Sequence, residues 1–138
     1  MKITEKHITE AQLKEIASLI LDEKAIIGLD INDVKYVLEG KEGMMYEGLN
    51  DEDEDNTTFM RHFFTALSQK EDVRTSSTLL VNIGMAAESP LMMEDMNTFH
   101  EFFQSFDNED LEIKWDIKTN AEGMGMTILV ICAHPITQ

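Results

Sequence analysis

A chain of 138 residues and 15.8 kDa is one domain's worth of polypeptide, enough to bury about two thirds of its unfolded surface in a single core. With 27 acidic against 11 basic side chains and a formal net charge of −16, it repels phosphate backbones and anionic headgroups, which argues against nucleic acid and membrane surfaces as partners. The opening MKITEKHITEAQLKE lacks the apolar centre of a signal peptide and no run approaches the length of a bilayer span, so a cytoplasmic location is expected.

In chain order, Thr9 and Gln12 form a capping box, and Leu13, Ile16, Ala17 and Ile20 follow on one face, which predicts a first helix over 9–23. The stretch GLDINDV (28–34) separates it from a second helical stripe, Val34, Val37 and Leu38, with Gly40 suited to a left-handed turn just past its end. A short strand, MMYEG (44–48), comes next, and NDEDEDN (50–56), with no apolar residue, reads as a solvated loop. A third helix starts near Thr57, buries Phe59, Phe63 and Leu67, and ends by Gln69. TLLVNIG (78–84) is a continuous apolar run, as expected of a strand covered on both faces.

For the fourth helix, Ser89 is a suitable N-cap, Pro90 fits the first turn, and Met92, Met96, Phe99, Phe103 and Phe106 recur at helical spacing. LEIKWDIK (111–118) alternates strictly, with Leu111, Ile113, Trp115 and Ile117 on one face and charges on the other, so one face is wet or partly covered. After turn residues NAEG (120–123), MTILVICA (126–133) is expected to return antiparallel to it. This order predicts an α+β fold, a small mixed β-sheet with helices packed mainly on one face.

Sequence motifs that announce an enzyme are missing: there is no GxxxxGK, GxGxxG, HExxH, CxxC or GxSxG. Asp51, Asp53 and Asp55 have the one-three-five spacing of a calcium loop, but Asn56 stands where its sharp turn needs Gly and His62 where the bidentate Glu belongs. His7, His62, His100 and His134 have no second ligand at helical spacing. No metal or other cofactor is therefore expected. The single cysteine, Cys132, cannot pair internally and sits in an apolar run as a buried thiol, and most of the ten methionines read as core filler.

Several of these strings, in this order, resemble the FtsZ and tubulin superfamily. GLDINDVKYVL resembles the loop and helix that link the central helix of FtsZ to its C-terminal domain, where the loop reads roughly N-x-D-F-x-D-V. GMMYEG (43–48), LLVNIG (79–84) and LMMEDMNTFHEFFQSF (91–106) resemble the strand, strand and helix that follow, and EIKWDIKTN with GMTILVICAH resembles the closing hairpin. The likeness runs from about residue 10 to 134.

The resemblance implies a stand-alone FtsZ C-terminal-like domain occupying 1–138, with a four-stranded mixed sheet and without the GTP-binding domain and its GGGTGTG signature. In that family the linking loop enters the nucleotide pocket of the next subunit, where its carboxylates help orient the water that attacks GTP. Asp30 and Asp33 occupy the matching positions, while Gly28 replaces the family's Asn and Ile31 its Phe. Two readings of the loop stand together: Asp30 or Asn32 caps the next helix with Asp33 in its first turn, or Gly28, Asp30, Asn32 and Asp33 form an interface with a partner's pocket. The function implied is a non-enzymatic interaction module in bacterial cell division, which docks on an FtsZ-type filament, modulates it, or self-associates. The alternative is a small-molecule-binding or catalytic domain that reuses the fold with a site between protomers.

Overall fold

The computed structural model describes residues 3–13, 15, 39–50, 55–89, 91–106 and 110–136. Among the described residues, besides the helical turn that begins at residue 10, five strands and three helices follow one another as β1 (Ile3–Ile8), β2 (Lys41–Leu49), α1 (Asn56–Ser68), α2 (Glu71–Arg74), β3 (Thr78–Met85), α3 (Met93–Gln104), β4 (Glu112–Thr119) and β5 (Thr127–Pro135). The strands form one sheet in the order β1-β2-β5-β3-β4. Only β3 and β4 pair in parallel; the β1–β2, β2–β5 and β5–β3 pairs are antiparallel.

Two expectations are corrected here. The sheet has five strands and not four, because ITEKHI at the start of the chain adds β1 to its edge. Only Ile8 of that strand is buried, so its sequence carries no burial period to betray it. Nor do the last two strands make a hairpin: β3 lies between β4 and β5. Burial explains the insertion, since β3 is buried along seven of its eight residues while β4 alternates charges and suits an edge.

The parallel relations require crossovers, and the helices supply them. α1 and α2 carry the chain from β2 to β3, and α3 carries it from β3 to β4. The core between sheet and helices joins Tyr46 of β2, Val81 and Ile83 of β3 and Val130 of β5 to Phe59, Phe63 and Phe99. Gly48 makes room on β2 for Phe63, whose ring would lie 2.6 Å from any Cβ placed there. The opposite face is closed as well, with Leu80 and Ile131 buried.

The capping box at Thr9 and the left-handed turn at Gly40 fall where the sequence predicts them. Thr9 and Gln12 make their capping box, with the Thr9 N–H on Gln12 Oε1 at 2.9 Å and helix from residue 10. The remainder of the expected 9–23 helix beyond residue 15, and the stripe at 34–38, lie outside the described residues. Gly40 adopts a positive φ of 72° at the turn into β2, a conformation costly for residues with a Cβ. Asp55 caps α1, accepting the Thr57 N–H at 3.1 Å and the Thr58 hydroxyl. That first hydroxyl bond holds its carboxyl below the usual range.

α3 departs from its expected start and from its expected face. The N-cap is Met92; Ser89 instead accepts from Asn56 Nδ2 through its carbonyl and hydroxyl, and Pro90 lies outside the described residues. The buried residues are Asp95, Thr98, Phe99 and Phe102, while Met92 of the expected stripe is exposed and Phe103 is half-buried. The helix is rotated toward α1, where Phe64 stacks on Phe102 with ring centres 4.6 Å apart. Arg74 locks its far end, with Nη2 on the Ser105 carbonyl at 2.6 Å and its guanidinium 4.9 Å from the centre of the Phe106 ring.

Phe99 touches the rings of Phe64, Phe103 and Trp115 at 5.7, 4.0 and 5.2 Å and is fully buried. Phe99→Ala is therefore expected to cost about 3–5 kcal/mol, and Phe103→Ala clearly less. Urea melts of the two variants check this; equal losses would contradict the observed rotation of α3.

Candidate functional site

The interface proposed from the sequence, Gly28, Asp30, Asn32 and Asp33, lies outside the described residues, as do Asp51 and Asp53 of the acidic run. The described residues do gather loops at one end of the sheet. β2, β3 and β4 finish there, β1 and β5 begin there, and α1 and α3 start there, as the strand registers and chain order require.

These loops are fastened to one another by short polar bonds. Asp95, buried at the start of α3, accepts the Met92 N–H at 2.8 Å and the Thr57 hydroxyl at 2.7 Å, which ties the first turns of α3 and α1 together. Asn120 donates to the carbonyls of Gly84 and Gly125 at 3.1 and 2.9 Å, joining the ends of β3, β4 and β5. The Asn50 N–H reaches the Met126 carbonyl at 2.8 Å, and Gly123 N–H reaches Glu88 Oε1 at 3.2 Å. A buried carboxylate with two donors is a satisfied anchor, so Asp95 acts as a positioning group here.

On this fixed frame apolar side chains face solvent. Met92 and Met93 are 65 and 81% exposed, and Leu49 and Met124 are exposed at 40 and 44%. Glu88, Glu94 and Glu122 are exposed beside them in the chain. Contrary to the sequence reading, Met92 is not core filler, whereas Met60 and Met126 are. Flexible, polarisable methionines with exposed glutamates next to them in the chain suit contact with another protein surface.

A second cluster sits within the core. Tyr46 Oη donates to Asp72 Oδ2 at 2.5 Å, and Cys132 Sγ lies 3.8 Å from the same oxygen and 3.6 Å from the Met44 carbonyl. Burial first, and the Asp72 charge second, push the Cys132 thiol up to about 12. Burial, and then the hydrogen bond to Asp72, raise the Tyr46 phenol as well. Both groups stay protonated at neutral pH, and a protonated, enclosed thiol is a poor nucleophile. Cys132 is the buried thiol that its apolar run predicts.

Between α1 and α3 a shallow groove of about 180 Å³ is lined by Arg61, Phe64, Thr98 and Glu101 among others. Ligand sites for small molecules are commonly several hundred Å³ and enclosed. Among the described residues no three His, Cys, Asp or Glu side chains come together as metal ligands. Among them, too, no helix is long and apolar enough to cross a membrane.

The fold has a solved counterpart. An FtsZ dimer structure from M. jannaschii, described as empty, matches over 82% of this chain with a TM-score of 0.59 and 18% sequence identity. The chain spans 33% of that FtsZ chain. The fold is thus that of an FtsZ C-terminal-like domain. A thiamine-monophosphate kinase from Stenotrophomonas maltophilia K279a also aligns, with a TM-score of 0.37 and 12% identity over 97% of this chain and 45% of that one. No protein-family model and no curated protein matches the sequence.

The buried thiol fixes a pH response. Its folded-state value is raised above the ordinary 9.0, so its contribution to stability is complete below about pH 9 and is lost as pH rises toward 12. Denaturant melts in that window are expected to show stability falling by up to about 1.4 kcal/mol per pH unit for this group, and Cys132→Ala should fall less steeply. Parallel slopes for the two proteins would contradict the enclosed thiol.

Proposed function

We propose that the chain is a non-enzymatic protein-interaction module that uses the FtsZ C-terminal-domain fold to dock on, or modulate, an FtsZ-type filament. The observation that carries this reading is the extent of the match: 82% of this chain is aligned, yet it spans 33% of the FtsZ chain.

The exposed methionines support the reading. They sit on loops held by Asp95 and Asn120, so the surface is ready-made and association loses little conformational freedom. The loop residues Gly28, Asp30, Asn32 and Asp33 supply the second element, by their resemblance to the family's linking loop. Because Gly28 and Ile31 depart from that pattern, the action on a filament is to block or cap assembly, without stimulating hydrolysis. The protein acts in the cytoplasm, where such filaments assemble.

Sedimentation of FtsZ filaments with and without this protein tests the proposal. The chain should pellet with the filaments or reduce their mass. Asp30→Ala, Asp33→Ala, and a Met92→Ser, Met93→Ser double variant should each weaken the effect while costing at most about 2 kcal/mol in melts. No change in filament mass, no co-sedimentation and no change in GTP turnover would overturn it.

A further inference from the structure

Peroxides attack protein sulfur, and cysteine thiolates are ordinarily their first target. This chain has one cysteine, and Cys132 is fully buried in β5 with its thiol held protonated at neutral pH. It neither competes for an oxidant nor repairs what one does. The sulfur within reach of solvent is that of methionine.

The methionines differ widely in access. Met93 and Met92 are the most exposed large apolar side chains among the described residues and Met124 is exposed as well, whereas Met60 and Met126 are fully buried. The exposed three belong to one end of the sheet. Met92 and Met93 begin α3, and the loop that carries Met124 is tied to the loop before α3 by the Gly123 N–H on Glu88 Oε1.

Met92 serves the fold with its backbone. Its N–H bonds Asp95 Oδ2, and its carbonyl accepts the N–H groups of Asp95 and Met96 at 3.0 and 3.2 Å. The exposed thioether can therefore change character while the start of α3 stays anchored. The net charge of −16 repels anionic oxidants and leaves the approach of uncharged hydrogen peroxide unhindered.

We propose that Met92 and Met93 form a reversible oxidation site, at which hydrogen peroxide converts the apolar start of α3 into a polar surface without loosening the fold. The thioether sulfur attacks the nearer peroxide oxygen, an S–O bond forms, and the O–O bond breaks. Sulfur gives up two electrons, and the peroxide's other oxygen leaves as water, taking the proton of the oxygen that is transferred. The product sulfoxide is polar and chiral where the thioether was apolar and flexible. Two thiols of a methionine sulfoxide reductase reverse the step, supplying two electrons and two protons as they join in a disulfide, and the sulfoxide oxygen leaves as water. The site rests on the interaction-module reading for its biological sense and deepens it, by naming a control over the surface offered to a partner.

Peptide mass mapping of the full chain during hydrogen peroxide treatment tests the site with no FtsZ present, so the outcome is separate from filament docking. Met92 and Met93 should each gain one oxygen at least about ten times faster than Met60 and Met126, whose thioethers react only when the fold opens. The chain oxidised at both positions should keep the urea midpoint of the untreated protein and elute earlier from a phenyl hydrophobic-interaction column. Methionine sulfoxide reductases with dithiothreitol should return it to its original position. A Met92→Leu, Met93→Leu double variant, its fold confirmed by its own melt, should lose most of the peroxide-induced shift. Uptake no faster at Met92 and Met93 than at Met60 and Met126, a urea midpoint lowered by oxidation at those two positions, an unchanged elution, a shift that the reductases fail to reverse, or an equal shift in the leucine variant would overturn the proposal.

Discussion

The backbone ladder on both sides of β5 is the constraint from which the rest of the structure follows. β5 is the last strand in the chain, yet it bonds β2 along nine register positions and β3 along seven. Without it the sheet separates into β1 with β2 and β3 with β4. Its buried run from Val130 to Ala133 leaves few polar side chains to compete for the backbone, and it brings Cys132 over the Tyr46–Asp72 pair. Placing the closing strand in the middle makes the fold depend on contacts distant in sequence, which raises the loop-closure cost before any sheet is complete.

Once β5 is placed, the directions of the other strands determine where the loops go. β2, β3 and β4 run one way, so both helical crossovers leave from the same end and return to the other. The starts of α1 and α3 are then neighbours, and Asp95 can serve its own helix and Thr57 together. The exposed methionines follow from that meeting. Met92 stands at the cap, where its backbone is used and its side chain is left outside. The exposed apolar side chains at this end are in this sense a by-product of the sheet order, held by one buried carboxylate.

Much of this was legible in the residues. The cap at Thr9, the left-handed Gly40, the aromatic stripe of α1 and the buried run of β3 are local patterns with local causes, and they appear in the expected places, whereas the Asp55 cap lies in a run read only as a solvated loop. The misreadings arise where a tertiary partner decides. β1 is an edge strand whose middle residues are exposed, so alternation is invisible in it. The hairpin expected of β4 and β5 rests on sequence adjacency, and it yields to the greater apolar burial available when β3 lies between them. The face of α3 turns toward α1 because Phe102 finds Phe64, a contact no helical period records. Of the candidate site, the resemblance to FtsZ pointed to Gly28, Asp30, Asn32 and Asp33, while Met92, Met93 and Met124 became visible only through exposure.

Native-state hydrogen exchange tests the central role of β5 most directly, because amides that open only on global unfolding report the full stability of the domain. Amides of Ile128–Ala133 should be the slowest in the chain and should share one opening free energy with their partners on β3, while β1 amides exchange through smaller, local openings. If β5 exchanged as readily as β1 while β3 and β4 remained protected, β5 would not be the strand that holds the sheet together.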